Sequence, residues 1–238
     1  MALVRQCGPA LLARGLAREG GASWMKASLT LGLALLVGCG TLTMQPPTAH
    51  SPFKQVEVEG HTPSLSYRDN ELRIGRYQVS DVEGTPILPA GMTAYGRLPD
   101  QTEWKYQYVI RDGARQLRGE CKEEIGEVRY FGLGETTLDV HCRCLTGATV
   151  KGDVYVQRGK GKAWLAPAHR FAVFGTRASA QGKRSRAILG YRFQSGVATG
   201  AVDVTKRARV FSSASLPPEQ ELPLACLYAG LLLHRPNR

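Results

Sequence analysis

Leu222-Pro-Leu-Ala-Cys-Leu-Tyr-Ala-Gly-Leu-Leu-Leu233, followed by His234, is apolar on every side. Glu219 and Glu221 precede it, and His234 and Arg235 close it, a charge order that suits the dipole of a helix. Proline at 223 is costly inside a helix and harmless in a first turn, so a helix is expected over 222–234. A helix without a polar face must be enclosed or lie in lipid. At ~1.5 Å per residue this one is about 20 Å long, too short to span hydrocarbon about 30 Å thick. It therefore reads as a core element sheathed by other structure.

The sheath is written upstream as strand after strand. In Trp104-Lys-Tyr-Gln-Tyr-Val-Ile110 the residues Trp104, Tyr106, Tyr108 and Ile110 share one face, the period of two of a half-buried strand. Asp112-Gly113 then turns the chain into a returning strand over 114–122. Val56–Glu59 alternates, and the run Leu72, Ile74, Tyr77–Val79 is expected to end at the turn pair Glu83-Gly84. Further strands are expected over 128–133, 136–145 and 148–157, separated by Gly134-Glu135 and Thr146-Gly147. Arg158–Lys162 reads as a tight basic turn, and 171–174, 187–193, 197–204 and 207–211 complete the set. Eleven or twelve short strands with turns every eight to twelve residues indicate a mainly β fold, an antiparallel barrel or a sandwich.

A barrel of about twelve short strands with a buried apolar C-terminal helix resembles the tubby-like fold, in particular its scramblase and LURP-one branch. The likeness rests on Gly190-Tyr-Arg-Phe193, Gly200-Ala-Val-Asp-Val204 and the tail Leu222–Leu233, and covers residues 64–235 in pattern only. It implies lipid contact without implying a reaction. The alternative is a β-sandwich with an appended C-terminal helix.

The N-terminal part carries an address. Met25-Lys-Ala-Ser-Leu-Thr-Leu-Gly-Leu-Ala-Leu-Leu-Val-Gly-Cys39 has one cation, an apolar centre of about eleven residues and a small residue before the cysteine, the three parts of a secretory signal. Its end, Leu36-Val37-Gly38-Cys39, resembles the lipobox of bacterial lipoproteins. That resemblance implies signal cleavage after Gly38 and lipidation at Cys39, where the thiol carries diacylglycerol and the freed amine a fatty acyl group such as palmitate. Gly40, where a retention aspartate would stand, implies sorting to the outer membrane. Residues 1–24 read as a mis-called leader with Met25 the start, or else as a long positive leader. Residues 25–38 are then the signal peptide, 39–52 an extended tether with prolines at 46 and 47, and 53–238 a single β-rich domain.

Charge is unevenly distributed. Past residue 38 there are 27 basic and 19 acidic residues. From Pro52 to Val150 there are 12 basic and 15 acidic residues, but from Lys151 to Phe211 there are 13 basic and 2 acidic. The basic stretches supply candidate contacts to an anionic surface: Arg158, Lys160, Lys162, Lys183, Arg184, Arg186, Lys206, Arg207 and Arg209. Anionic lipid headgroups or an acidic envelope polymer are the expected partners. Nucleic acid is not expected in that compartment, despite a pI near 9.6.

Export also bears on Cys121, Cys142, Cys144 and Cys226. An even count in an oxidising compartment favours disulfides over free core thiols. Cys142 and Cys144 share one strand face and are poorly placed to pair with each other, so each takes Cys121 or Cys226. His141 lies on the opposite face of that strand, so it does not converge with them on a metal. Ser195-Gly196 lacks a nucleophile-elbow pattern, Gly159–Lys162 is too short for a phosphate loop, and Glu123-Glu124 reads as a solvated turn. No catalytic set, metal or cofactor site is expected. The reading is a non-enzymatic, lipid-anchored envelope protein. Its alternative is a cell-envelope hydrolase or cell-wall-modifying enzyme whose mark would be a pocket joining an acid to a histidine.

Overall fold

The structure is a computed structural model. It describes residues 43–46, 53–60, 72–87, 101–130, 133–185, 187–205, 207–213 and 216–234. Residues 1–38, Cys39, Arg186 and Lys206 lie outside them.

Twelve antiparallel strands close into a barrel: β1 (Phe53–Glu59), β2 (Leu72–Ile74), β3 (Tyr77–Ile87), β4 (Gln101–Asp112), β5 (Arg115–Tyr130), β6 (Leu133–Thr146), β7 (Thr149–Gln157), β8 (Lys160–Leu165), β9 (His169–Thr176), β10 (Gly190–Ser195), β11 (Val197–Asp203) and β12 (Arg209–Ser213). Each pairs with its neighbours in sequence, and β12 closes on β1 through pairs such as Val56–Val210. The sandwich alternative is excluded. The walls follow the period of two: Tyr106, Tyr108 and Ile110 point inward with Leu117, Cys121, Val140, Cys142, Cys144, Val154 and Val156. Outward positions on β4–β6 carry Lys105, Gln107, Arg118, Glu120, Lys122 and Arg143. That is the inverse of a barrel whose outer wall meets lipid.

The lumen is filled by helix α1 (Pro218–Leu233), whose buried residues run from Gln220 through Leu232 with one partly exposed break at Glu221. It packs against β2–β8 and β11. The helix begins one turn earlier than its sequence indicates. Pro218 stands in the first turn, where a missing N–H costs nothing, and Pro223 is carried inside the helix. Tyr106 donates to the Gly230 carbonyl at 2.8 Å and Tyr108 to the Cys226 carbonyl at 2.6 Å, so two wall phenols satisfy helix carbonyls in a space water does not reach. Gly230 lets the helix come close: a Cβ there would lie 2.7 Å from Cys142 Sγ and 2.8 Å from Cys121 Sγ. Two disulfides complete the core. Cys121–Cys142 ties β5 to β6 across a register pair, and Cys144–Cys226 ties β6 to the helix.

Three local expectations are corrected. Glu83-Gly84 is not a turn but lies within β3, where the register shifts between Ser80 and Glu83 and Asp81 has φ 52°. Gly134-Glu135 lies within β6, so β6 is longer than expected and pairs with β5 as far as Tyr130–Leu133. The turn at 158 is only Arg158-Gly159, and Lys160 and Lys162 belong to β8.

Part of the stretch read as a free tether is docked. Thr43–Pro46 lies against the barrel and Met44 is wholly buried among Leu189, Ala201 and Phe211. The Met44 amide donates to Asp203 Oδ2 at 3.1 Å, Gln45 N–H to the Ala178 carbonyl at 3.0 Å, and Ala180 N–H to the Thr43 carbonyl at 2.9 Å.

Candidate functional site: a basic, aromatic outer groove

The register of β7, β8 and β9 sets three outward rows side by side. Asp153, Trp164 and Arg170 form one, Tyr155, Lys162 and Ala172 the next, and Gln157, Lys160 and Phe174 the third. The small Ala172 leaves a trough beside Lys162. The resulting groove, about 1050 Å³, is lined by Tyr155, Trp164, Arg158, Lys160, Lys162 and Arg170 among others. Tyr155 and Phe174 are the exposed large apolar side chains among the described residues, each 43 % accessible, and both stand on this wall. Exposed aromatic rings beside cations offer a flat apolar surface and a positive field together.

The cations on the two sides of the barrel are in different states. On β4–β6 and their neighbours they are neutralised across strands: Lys105 and Lys122 on Glu103, Lys122 on Glu124, Arg118 and Arg143 on Glu120, Arg111 on Asp81 and Arg115 on Asp112. Hydrogen bonds from Lys105 and Lys122 hold the Glu103 carboxyl below its usual range. Arg158, Lys160, Lys162 and Arg170 have no such partner among the described residues. Asp153, the acid in the groove, is engaged by His141 Nε2 at 2.8 Å, which leaves the four cations as its dominant charge. Burial, and then Asp139, raise the Tyr155 phenol above its ordinary value, so it stays a neutral donor near neutral pH.

The other candidate basic residues lie off this wall. Lys183 and Arg184 lie exposed on the β9–β10 connection and Arg207 on the β11–β12 turn. Arg209, on the outer face, is folded onto Asp203 Oδ2 at 3.1 Å and the Met44 carbonyl at 3.3 Å, so it holds the docked segment.

An acid–histidine contact does exist, and Glu123 is not in a solvated turn. Residues 117, 119, 121 and 123 of β5 point inward, and Glu123 meets His234 at the end of α1, Oε1 to Nδ1 2.8 Å. The two side chains are 4 % and 0 % exposed, and their contact is close, with an angle that is not that of a hydrogen bond. Tyr191 packs its ring against His234, and burial followed by the charge of Glu123 drives its phenol upward. The three side chains are buried, and the trio serves as a polar latch on the end of the helix. Cys142 and Cys144 are consumed in disulfides, and His141 points away from both.

Comparison of the chain with protein-family models, with curated protein sequences and with solved structures finds no match.

Proposed function

We propose that this is a lipid-anchored bacterial envelope protein that binds, without transforming, an anionic envelope molecule on the outer wall of β7–β9. One observation carries the reading: four cations converge there with exposed aromatic rings and without carboxylate partners among the described residues, while the cations of β4–β6 are neutralised in place. Unpaired cations on a rigid sheet cost little to present and retain their full attraction for a polyanion. Glu123 and His234 are buried, so the candidate left to the hydrolase alternative is the partly exposed pair His141–Asp153, 2.8 Å apart beside the groove. The Cys39 lipobox supplies the anchor in this reading, and the architecture resembles a tubby-like barrel in strand number and enclosed helix.

The test uses a Cys39→Ala form, so that association reads the wall alone, in vesicles of phosphatidylcholine with phosphatidylglycerol and with a soluble acidic polysaccharide. At about 1 kcal/mol per cation near an anionic surface, Lys160→Glu, Lys162→Glu and Arg170→Glu together weaken binding to one or both probes about 100-fold at low salt, with less effect as salt rises. Unchanged binding to both probes refutes the proposal.

A further inference from the structure

The antiparallel meander has a consequence for where charge and anchor meet. Because consecutive strands alternate in direction, the β7–β8, β9–β10 and β11–β12 connections all lie on one rim, and the β4–β5, β6–β7 and β8–β9 connections on the other. The first rim presents Arg158, Arg177, Lys183, Arg184 and Arg207, all exposed and without an ion pair among the described residues, with Lys160 just below them. Gly159 and Ile188 touch there, so the first two of these connections are neighbours in space. On the opposite rim the turn arginines are matched, Arg76 with Glu221 and Asp112 and Arg115 with Asp112, while Lys151 and Arg170 stand unpaired among the described residues just inside it.

The docked segment belongs to the basic rim and has a direction. Thr43 is held by Ala180 in the β9–β10 connection, Met44 by Asp203 and Ser179, and Gln45 receives Arg192 Nη2 at 3.4 Å lower on the wall. Phe53 then begins β1 beside Ser213, toward the opposite rim. The described strap therefore runs along the outside of the barrel with Thr43 as its end at the basic rim. Three residues separate Thr43 from Cys39, four Cα–Cα steps with a reach of at most about 14 Å.

We infer that the basic rim is the membrane-facing surface: the strap Thr43–Pro46 fixes the barrel with Arg177, Lys183 and Arg184 against the anionic headgroups of the bilayer that holds the Cys39 lipid. The inference rests on the lipid-anchor reading. A free tether of a dozen residues would let the barrel tumble, whereas a pinned one of three residues leaves a single end within reach of the headgroups. Each lysine or arginine held near an anionic surface contributes about 1 kcal/mol, so the rim is sufficient to maintain the pose once the anchor has placed it. The β7–β9 groove then stands on the flank, open to a second anionic molecule from the side.

The full chain is expressed in an exporting bacterial host, its acyl mass is checked, and it is reconstituted in vesicles of phosphatidylcholine and phosphatidylglycerol carrying a headgroup-level nitroxide quencher. A fluorophore is attached at Gln181→Cys on the basic rim or at Ala148→Cys on the opposite rim. Both positions are exposed, and the four core cysteines are paired, so the label goes to the new thiol. Quenching several-fold stronger at 181 than at 148 is expected, and it falls toward the level at 148 in Lys183→Glu with Arg184→Glu. An acylated chain with equal or reversed quenching overturns the orientation alone. A chain without acyl groups at Cys39 overturns the anchor reading and this one together, and leaves the groove proposal standing on its own soluble assay.

Discussion

Removing the bridge between the helix and the wall tests the packing most directly. Cys144–Cys226 closes a loop of sequence separation 82, and Cys121–Cys142 one of 21. The two loops follow one another along the chain without overlapping, so their restraints on the unfolded state are independent. Loop-closure entropy gives about 4.5 kcal/mol for the longer and about 3.3 kcal/mol for the shorter at room temperature. Cys144→Ala with Cys226→Ala is therefore expected to cost about 1 kcal/mol more than Cys121→Ala with Cys142→Ala, since each double variant empties two buried thiol sites. Urea unfolding followed by circular dichroism reads the difference. With a urea slope near 2 kcal/mol/M, the midpoints fall by about 2.2 M and about 1.6 M. Thiol reduction of the unmutated protein should lower its midpoint by more than either pair removal. Equal midpoints, or a larger loss from the Cys121–Cys142 pair, refute the view that the long bridge acts by restricting the unfolded chain.

Two further outcomes follow from the enclosed helix. In Gly230→Ala the new methyl meets Cys142 Sγ, Cys121 Sγ and, at 2.9 Å, Tyr108 Oη, and overpacking costs about 2 kcal/mol despite alanine's better helix propensity. A melting temperature that rises or stays constant counts against the close approach. The phenols of Tyr108, Tyr191 and Tyr228 are all pushed up from 10.0, chiefly by burial. Their folded values exceed the unfolded one, so their contribution is intact below pH 10 and is lost as pH rises above it. At about 1.4 kcal/mol per unit and group, three phenols remove about 4 kcal/mol by pH 11. Urea midpoints that do not fall between pH 10 and 11, or phenolate absorbance appearing before unfolding, contradict that enclosure.

Much of this architecture is legible in the sequence because burial here follows two simple periods. Trp104–Ile110 alternates as a wall must, and Leu222–Leu233 has no polar side, which forces it inside. The errors fall where a residue type has two uses. Glu83-Gly84 looks like a turn, yet the chain bulges just before it and continues. Pro223 looks like a helix start, yet Pro218 does that work and the lumen tolerates the lost hydrogen bond at 223. Glu123 looks solvated because it is charged, although strand parity with Leu117 and Cys121 already points it inward. Its partner His234 lies 111 positions away, and only the helix bringing them together makes the latch visible. The groove needs the register of three strands: Lys160 and Lys162 stand out as part of a basic run, but Tyr155 and Arg170 acquire meaning only once β7 and β9 flank β8. Met44 carries no signal at all, being one apolar residue in an uncharged, proline-containing stretch.

The element that fills the lumen comes after every strand it touches. Until those sixteen residues have joined, the wall has nothing to close around and its inner leucines, valines and tyrosines face a void. Emergence of the chain from a ribosome or a translocation pore thus yields, for most of its length, a curtain without a rod. Passage across a membrane in an unfolded state is compatible with such an order, since the decisive contacts are postponed to the last stretch to arrive.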